Sequence, residues 1–365
     1  MIADHYLLAV PAAALLTCVL IVLLRPLLVR YALARPNARS SHKVPTPQGG
    51  GIAIMAAVLI VIAAGAIVSP WAPDCACPEQ GLRGLLSFYL MQDPVVIVLG
   101  AAVLLAVLGA CDDIRPLPAI PRLLLQFFAV FLVITAKDVR LLPEVVPYWV
   151  ETAFLIVGGV WFVNLVNFMD GLDWMTVAEM VPITAFLTFL GIHTSGSFGL
   201  FTLGLGPLLA SALCGALLGF AVFNKPVARL FLGDVGSLPI GLMVGWLLLM
   251  LARNGTFAAA LLLPLYYLMD ATITLFRRLA RRERVWEAHR SHFYQRATDN
   301  GFSVMAVVAH VFVLNLALAM LAAVTLVWTS GVVQVAALIA GLALVSLVLW
   351  RFSQPRVMVP LEVSR

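Results

Sequence analysis

Charge is scarce in this sequence: 18 Asp and Glu and 23 Lys and Arg among 365 residues leave 11% of positions charged, against 62% hydrophobic. Soluble domains carry about 25% charged residues. Hiding this much apolar surface in one core would still demand a polar shell, which the chain does not have. A water-soluble protein is excluded. Cysteine is scarce too, and the five present build no disulfide framework. Cys18, Cys111 and Cys214 lie in or beside apolar segments, where a thiol behaves as a small hydrophobe. Cys75 and Cys77 share one loop without partner ligands for a metal, so a local bridge or two thiols are the readings if that loop meets an oxidising compartment. A concentrated basic domain is also missing. The net charge of +5 is distributed by loop, which argues against nucleic acid as a partner.

What the chain has in abundance is long apolar runs. Mean hydropathy is +1.03. Eleven apolar segments recur, at 6–29, 50–68, 92–111, 121–136, 148–166, 174–192, 198–222, 235–252, 256–276, 303–327 and 331–350. Most approach the roughly 20 residues that a helix needs to cross a bilayer. The expected fold is therefore all-α: a polytopic membrane protein of about 11 transmembrane helices, forming one integral membrane catalytic domain over 1–365. The first segment is longer than a signal-peptide core, with no basic region before it and no small-residue cleavage site after it, and is expected to be retained.

Basic residues set the orientation. With the N-terminus outside and the C-terminus cytoplasmic, every Lys and Arg except Arg83, Lys137, Arg140 and Arg253 falls on the inside. With that orientation, the dense polar clusters also fall in inside loops or at the inside ends of helices. The first inside loop runs from Arg35 through His42 and Lys43 to Gly49-Gly50-Gly51. Asp112-Asp113 opens the second, Asn164, Asn167, Asp170 and Asp173 mark the third, Gly233-Asp234-Val-Gly236-Ser237 the fourth, and His289-Arg290-Ser-His292 the fifth.

Each cluster has a plain reading beside a chemical one. Asp112 and Asp113 point about 100° apart on a helix end, so each can serve a different partner, or both can simply be solvated. Asn164, Asn167 and Asp170 share a helix face at three-residue spacing. They could offer oxygens to a hard cation such as Mg²⁺, or bridge neighbouring helices. The glycine turn at 233–237 could present helix N-terminal amides to phosphate, or be a turn with Asp234 as cap. His289 and His292 flank an arginine able to fork onto phosphate, yet a solvated loop against anionic lipid is the alternative. Zinc is disfavoured, because three or four N or S ligands are wanted and no inside cysteine lies nearby. Within the spans, Glu179 and Asp270 are expected to belong to the inside cavity and His310 to helix packing.

Taken together, the clusters equip one membrane face with acidic oxygens, a glycine turn and several cations, which is what metal-assisted handling of a diphosphate requires. At these residues the chain resembles the polyprenyl-phosphate N-acetylhexosamine-1-phosphate transferases, the glycosyltransferase family 4 superfamily that includes the phospho-MurNAc-pentapeptide translocase. The likeness runs over about 35–300. It implies transfer of a HexNAc-1-phosphate from a UDP-sugar (UDP-GlcNAc, UDP-FucNAc or UDP-QuiNAc) to undecaprenyl phosphate with release of UMP. The cofactor implied is Mg²⁺, with Mn²⁺ as the alternative, and the place a bacterial inner membrane with the site facing the cytoplasm. The resemblance assigns Asp112 and Asp113 to catalysis and Asn167 and Asp234 to the metal. It places Asp173 at the uracil ring with Asp170 supporting that loop, Arg122 where relatives carry a phosphate-contacting Lys, and His289, Arg290 and His292 in the loop that meets the phosphates and sugar. Lys43 and Asn164 join these as substrate-binding candidates.

Two departures stand out. Trp174 occupies a position where relatives often have Gly, and is expected to narrow or stack on the nucleotide pocket. Arg290 and Ser291 interrupt a run that is all histidine in the translocase, which points to the O-antigen-initiating branch. The alternative from another class is a transporter, which would place its binding groups near the midplane and show duplicated halves. Neither feature is seen. Nothing in the sequence decides between a monomer and a homodimer.

Overall fold

The computed structural model describes residues 2–34, 45–68, 93–136, 140–193, 205–253, 255–284 and 289–356. Cys75, Cys77 and Lys43 lie outside these. In chain order the elements are α1 (Ile2–Tyr31), β1 (Leu33–Ala34), β2 (Thr46–Pro47), α2 (Gly50–Val68), α3 (Pro94–Ile114), α4 (Ala119–Thr135), α5 (Tyr148–Met169) and α6 (Met175–His193). Then follow α7 (Gly206–Asn224), α8 (Asp234–Arg253), α9 (Phe257–Leu262), α10 (Leu265–Ala280), α11 (Phe293–Asp299), α12 (Val304–Val327) and α13 (Gly331–Ser353). The fold is all-α and polytopic. Among the described residues nine helices are long and apolar enough to cross a membrane, and α4 is a shorter apolar helix.

The ninth apolar segment, read from the sequence as one span over 256–276, is two helices. Pro264 stands between α9 and α10. A proline has no amide to continue the ladder and its ring clashes with the preceding turn, so the helix breaks there. The released amide of Tyr267 is met by Glu179 Oε1 at 3.4 Å. Glu179 Oε2 accepts from Asn315 Nδ2 at 2.6 Å. Glu179, expected in the inside cavity, is instead fully buried where α6, α10 and α12 meet. His310, expected to pack between helices, is exposed, with Nδ1 against the Ala306 carbonyl and its ring edge-on to Phe302 and Phe352.

Burial sorts the bundle. The apolar window of α8 is 89% buried and that of α7 78%, against 22% for α1 and α13, so α8 and α7 form the centre of the bundle and α1 and α13 its periphery. α8 packs on α3 and α5, α7 on α1 and α6. Small residues permit the closest crossings, as membrane helices require without a hydrophobic drive between them. A Cβ on Gly51 would sit 2.2 Å from the Gly236 Cα. α2 and α8 thus touch backbone to backbone at their N-termini. Because neighbouring spans alternate in direction, the starts of α2, α6 and α8 and the ends of α3, α5 and α7 are brought to one end of the bundle.

Candidate active site

The end of α3 supplies two carboxylates with different partners. Asp112 Oδ2 accepts from Arg122 in the first turn of α4 at 2.9 Å, and Oδ1 from the Leu117 amide at 2.6 Å. Asp113 turns the other way: Oδ1 accepts the Asp234 amide at 3.0 Å and Oδ2 the Val235 amide at 3.1 Å. It caps a helix to which it does not belong. The amides of Gly236 and Ser237 bond to the Gly233 carbonyl at 2.9 and 3.0 Å. The leading amides of α8 are all engaged, so of the two readings of 233–237 the structure has the closed turn, with Asp113 rather than Asp234 as its cap. Gly233 is required there twice over, by its φ of 76° and because a Cβ would lie 2.5 Å from Asp113 Oδ2.

Asn167, two residues before the end of α5, donates to Asp234 Oδ1 at 2.7 Å and to Ser237 Oγ at 2.8 Å. The Asp234 and Asp112 carboxyls are within hydrogen-bonding distance of each other. Two carboxyl groups settle that close with a proton or a cation between them. Asp112, Asn167 and Asp234, from three helices, thus occupy one place. Loop 46–51 closes it from another side: Gly50 and Gly51 donate to the carbonyls of Phe231 and Leu232, and Gln48 Nε2 to the Asp113 carbonyl at 3.0 Å.

The next loop sits against this cluster. Asp170 accepts from Thr176 Oγ1, and burial, with the charges of Asp234, Asp113 and Asp173 around it, pushes its carboxyl up to about 8. Asp173, assigned by resemblance to the uracil ring, accepts the Ala228 amide at 2.9 Å and so pins the loop after α7. Trp174, expected to narrow the nucleotide pocket, directs its indole N–H to the Ala221 carbonyl at 2.6 Å and its amide to Asn224 at 2.7 Å. It adopts a φ of 63°, which costs a bulky residue strain and is held by those two bonds. Asn164, expected beside substrate, is buried and donates to Gln126 at 2.7 Å and to the Val160 carbonyl at 2.8 Å, so it bridges α5 to α4.

The basic segment is built around a hub. Asp270 Oδ1 meets His292 Nδ1 at 3.1 Å and the Phe293 amide at 3.0 Å, while Oδ2 accepts the Tyr294 amide at 3.2 Å. Tyr294 in turn donates its hydroxyl to the Phe168 carbonyl at 3.0 Å, next to Asn167. His289 stacks on His292 with ring centroids 4.8 Å apart, and burial together with His292 and Arg278 lowers its pKa to about 4. Arg290 reaches Asp299 at 3.4 Å. Gln48 and Tyr294 lie within the first and fifth polar clusters, but nothing in their spacing singled out either side chain.

Among the described residues no three His, Cys, Asp or Glu side chains are grouped to hold a metal alone. The donor set nevertheless fits a hard cation. It offers oxygens from Asp234, Asn167 and Asp112, few in number, and Mg²⁺ commonly takes one or two carboxylates and completes its shell with water and substrate phosphate.

The all-helical membrane bundle thus gathers carboxylates, an asparagine and a basic segment at one end. Residues 95–252 match the family model described as Glycosyl transferase family 4, which supports the superfamily read from the five loops. The chain is 29% identical over 243 residues to "Decaprenyl-phosphate N-acetylglucosaminephosphotransferase" of Mycolicibacterium smegmatis, covering 60% of this chain and 54% of the relative. The match thus spans about half the length of that relative. It is 23% identical over 321 residues, 82% of this chain and 80% of the relative, to "Probable undecaprenyl-phosphate N-acetylglucosaminyl 1-phosphate transferase" of Bacillus subtilis. A shorter match, 35% over 106 residues and 29% of this chain and 30% of the relative, is to a Wolbachia phospho-N-acetylmuramoyl-pentapeptide-transferase.

Proposed function

We propose that the protein transfers a HexNAc-1-phosphate from a UDP-sugar to undecaprenyl phosphate, releasing UMP and starting a lipid-linked cell-envelope glycan of the O-antigen kind. The observation that carries this reading is the meeting of Asp112, Asn167 and Asp234 beside the 289–296 segment. The N-terminus lies outside a bacterial inner membrane, and the site faces the cytoplasm. UDP-sugar then arrives from water and the polyprenyl phosphate from the bilayer. The mycobacterial relative, a decaprenyl-phosphate transferase, and the Bacillus relative, a probable undecaprenyl-phosphate one, support a polyprenyl-phosphate acceptor and a GlcNAc donor.

Mg²⁺, held by Asp234 and Asn167, would neutralise the diphosphate and lower the cost of the charge that builds on the leaving UMP. The chain's residues supply the rest. His289, Arg290 and His292 bind the donor's phosphates and sugar. Asp112 faces the acceptor: a phosphate monoester has a second pKa near ~6, so the nucleophile is already mostly dianionic and Asp112 takes the residual proton. Asp113 and Arg122 position, the first by fixing the backbone under Asp234, the second by holding Asp112. The acceptor's phosphate oxygen attacks the β-phosphorus directly, forming the lipid diphosphate as the bond to UMP breaks.

The test is a panel of UDP-HexNAc donors with undecaprenyl phosphate, scored by labelled lipid product. One donor should give a lipid-linked sugar diphosphate. Trapping of a phosphorylated Asp112 or Asp113 without acceptor would overturn direct displacement.

A further inference from the structure

We infer that Asp270 is a positioning residue for this reaction: it seats the 289–296 segment against the end of α5 and sets which nitrogen of His292 meets the substrate. The inference rests on the transfer reading above. Asp270 is fully buried on α10, far in sequence from every motif, yet five groups converge on it. Two are the Phe293 and Tyr294 amides, the open start of α11. Two are the hydroxyls of Thr274 and Tyr266, each at 3.3 Å. The fifth is the His292 ring, itself 3% exposed.

The consequence for His292 follows from donor and acceptor chemistry. A carboxylate has only lone pairs, so His292 Nδ1 carries the proton that joins them. Nε2 is thereby left as the nitrogen available to a ligand, with the ring held between His289 and Tyr294, whose centroids lie 4.8 and 5.7 Å away. Carboxylates fix the tautomer and orientation of metal-binding histidines in this way, and losing such a partner costs roughly 10–100-fold in affinity or activity.

The second anchor is on Tyr294. Its hydroxyl takes the Phe168 carbonyl, an acceptor left over in the last turn of α5. A Cβ on Gly171 would stand 2.2 Å from that hydroxyl, so the 167–171 loop and α11 are in direct contact. The path from Asp270 to the carboxylate cluster is short: Asp270 to Tyr294, Tyr294 to Phe168, and the adjacent Asn167 to Asp234.

The full-length protein in nanodiscs, as wild type, Asp270→Asn, His292→Gln, the double variant and Tyr294→Phe, tests this with two readouts. One is kcat and KM for the UDP-sugar, and the other is peptide-mapped modification of histidines by diethyl pyrocarbonate. Asp270→Asn should lower kcat on the order of 10–100-fold, raise labelling of His292 but not of His310, and add little to His292→Gln in the double variant. Tyr294→Phe, which removes only one hydroxyl, should lower kcat more than twofold and decides the matter if Asp270→Asn does not fold. The inference is overturned if either variant turns over within twofold of wild type, or if the Asp270 and His292 effects multiply independently. Inactive wild type would instead sink the transfer reading, and His292 labelling would still report whether Asp270 holds the ring.

Discussion

Asp113 on α3 accepts the Asp234 and Val235 amides with its two carboxylate oxygens, at 3.0 and 3.1 Å. A carboxylate that the sequence presents as half of a catalytic pair closes the N-terminus of the central helix and fixes the backbone of Asp234, the residue proposed to hold the metal. Asp112, its neighbour, faces Arg122 and Asp234 instead. The adjacent pair therefore divides its work, as the 100° step between consecutive helical side chains allows.

Asp113→Ala should destabilise the protein by about 1–3 kcal/mol, the cost of leaving buried amides without acceptors, and abolish turnover by loosening Asp234. Asp113→Asn, which keeps one acceptor oxygen, should lose less of both. Thermal midpoints in detergent and UMP release read the two effects; an Asp113→Ala protein as stable as wild type contradicts the cap.

Asp234→Asn keeps size and the contact to Asn167 but removes a charge from the cluster. Turnover should fall below detection at any Mg²⁺ concentration while the fold persists. Near-wild-type activity refutes the metal role.

Glu179 lies between Asn315 and the Tyr267 amide. Glu179→Gln replaces an acceptor at Asn315 by a donor unless the amide turns. It should lower stability by about 1–3 kcal/mol while kcat per folded molecule drops less than tenfold. A kcat loss as deep as that of Asp234→Asn would move Glu179 into the site.

Asp170 gives the pH dependence a sign. Its folded-state pKa is raised to about 8, above the roughly 3.9 of an exposed Asp, so the folded protein holds a proton there that the unfolded chain releases. Its stabilising share is complete below pH ~4, falls as pH rises towards 8, and is gone above. The thermal midpoint of wild type should therefore decline between pH 6 and 8 more steeply than that of Asp170→Asn. Parallel curves contradict the assignment.

Cys111 is exposed at the α3 end, beside Asp112. With Cys75 and Cys77 replaced by serine, a membrane-impermeant maleimide should label it in inside-out vesicles and not in intact spheroplasts. Labelling in spheroplasts reverses the proposed orientation.

Much of this was legible in the sequence. Apolar runs gave the helices, because a bilayer leaves the backbone few other solutions, and the spacing of Asn167 to Asp170 placed them on one helix end. The break at Pro264 was hidden because the residues around it are apolar enough to read as one span. The closed start of α8 was hidden for a different reason. Gly233-Asp234-Val-Gly236-Ser237 looks the same whether its amides meet a phosphate or a carboxylate 121 positions earlier in the chain. Asn164 and Trp174 could not be assigned for the same cause: their partners, Gln126 and Ala221, are ordinary residues brought near only by packing.

The most direct measurement is UMP release by purified wild type and Asp234→Asn given UDP-HexNAc, undecaprenyl phosphate and Mg²⁺. The account predicts one UMP for each lipid-linked sugar from wild type, none without the lipid phosphate, and none from Asp234→Asn. UMP formed equally well by Asp234→Asn, or no UMP from wild type with any UDP-HexNAc, would contradict it.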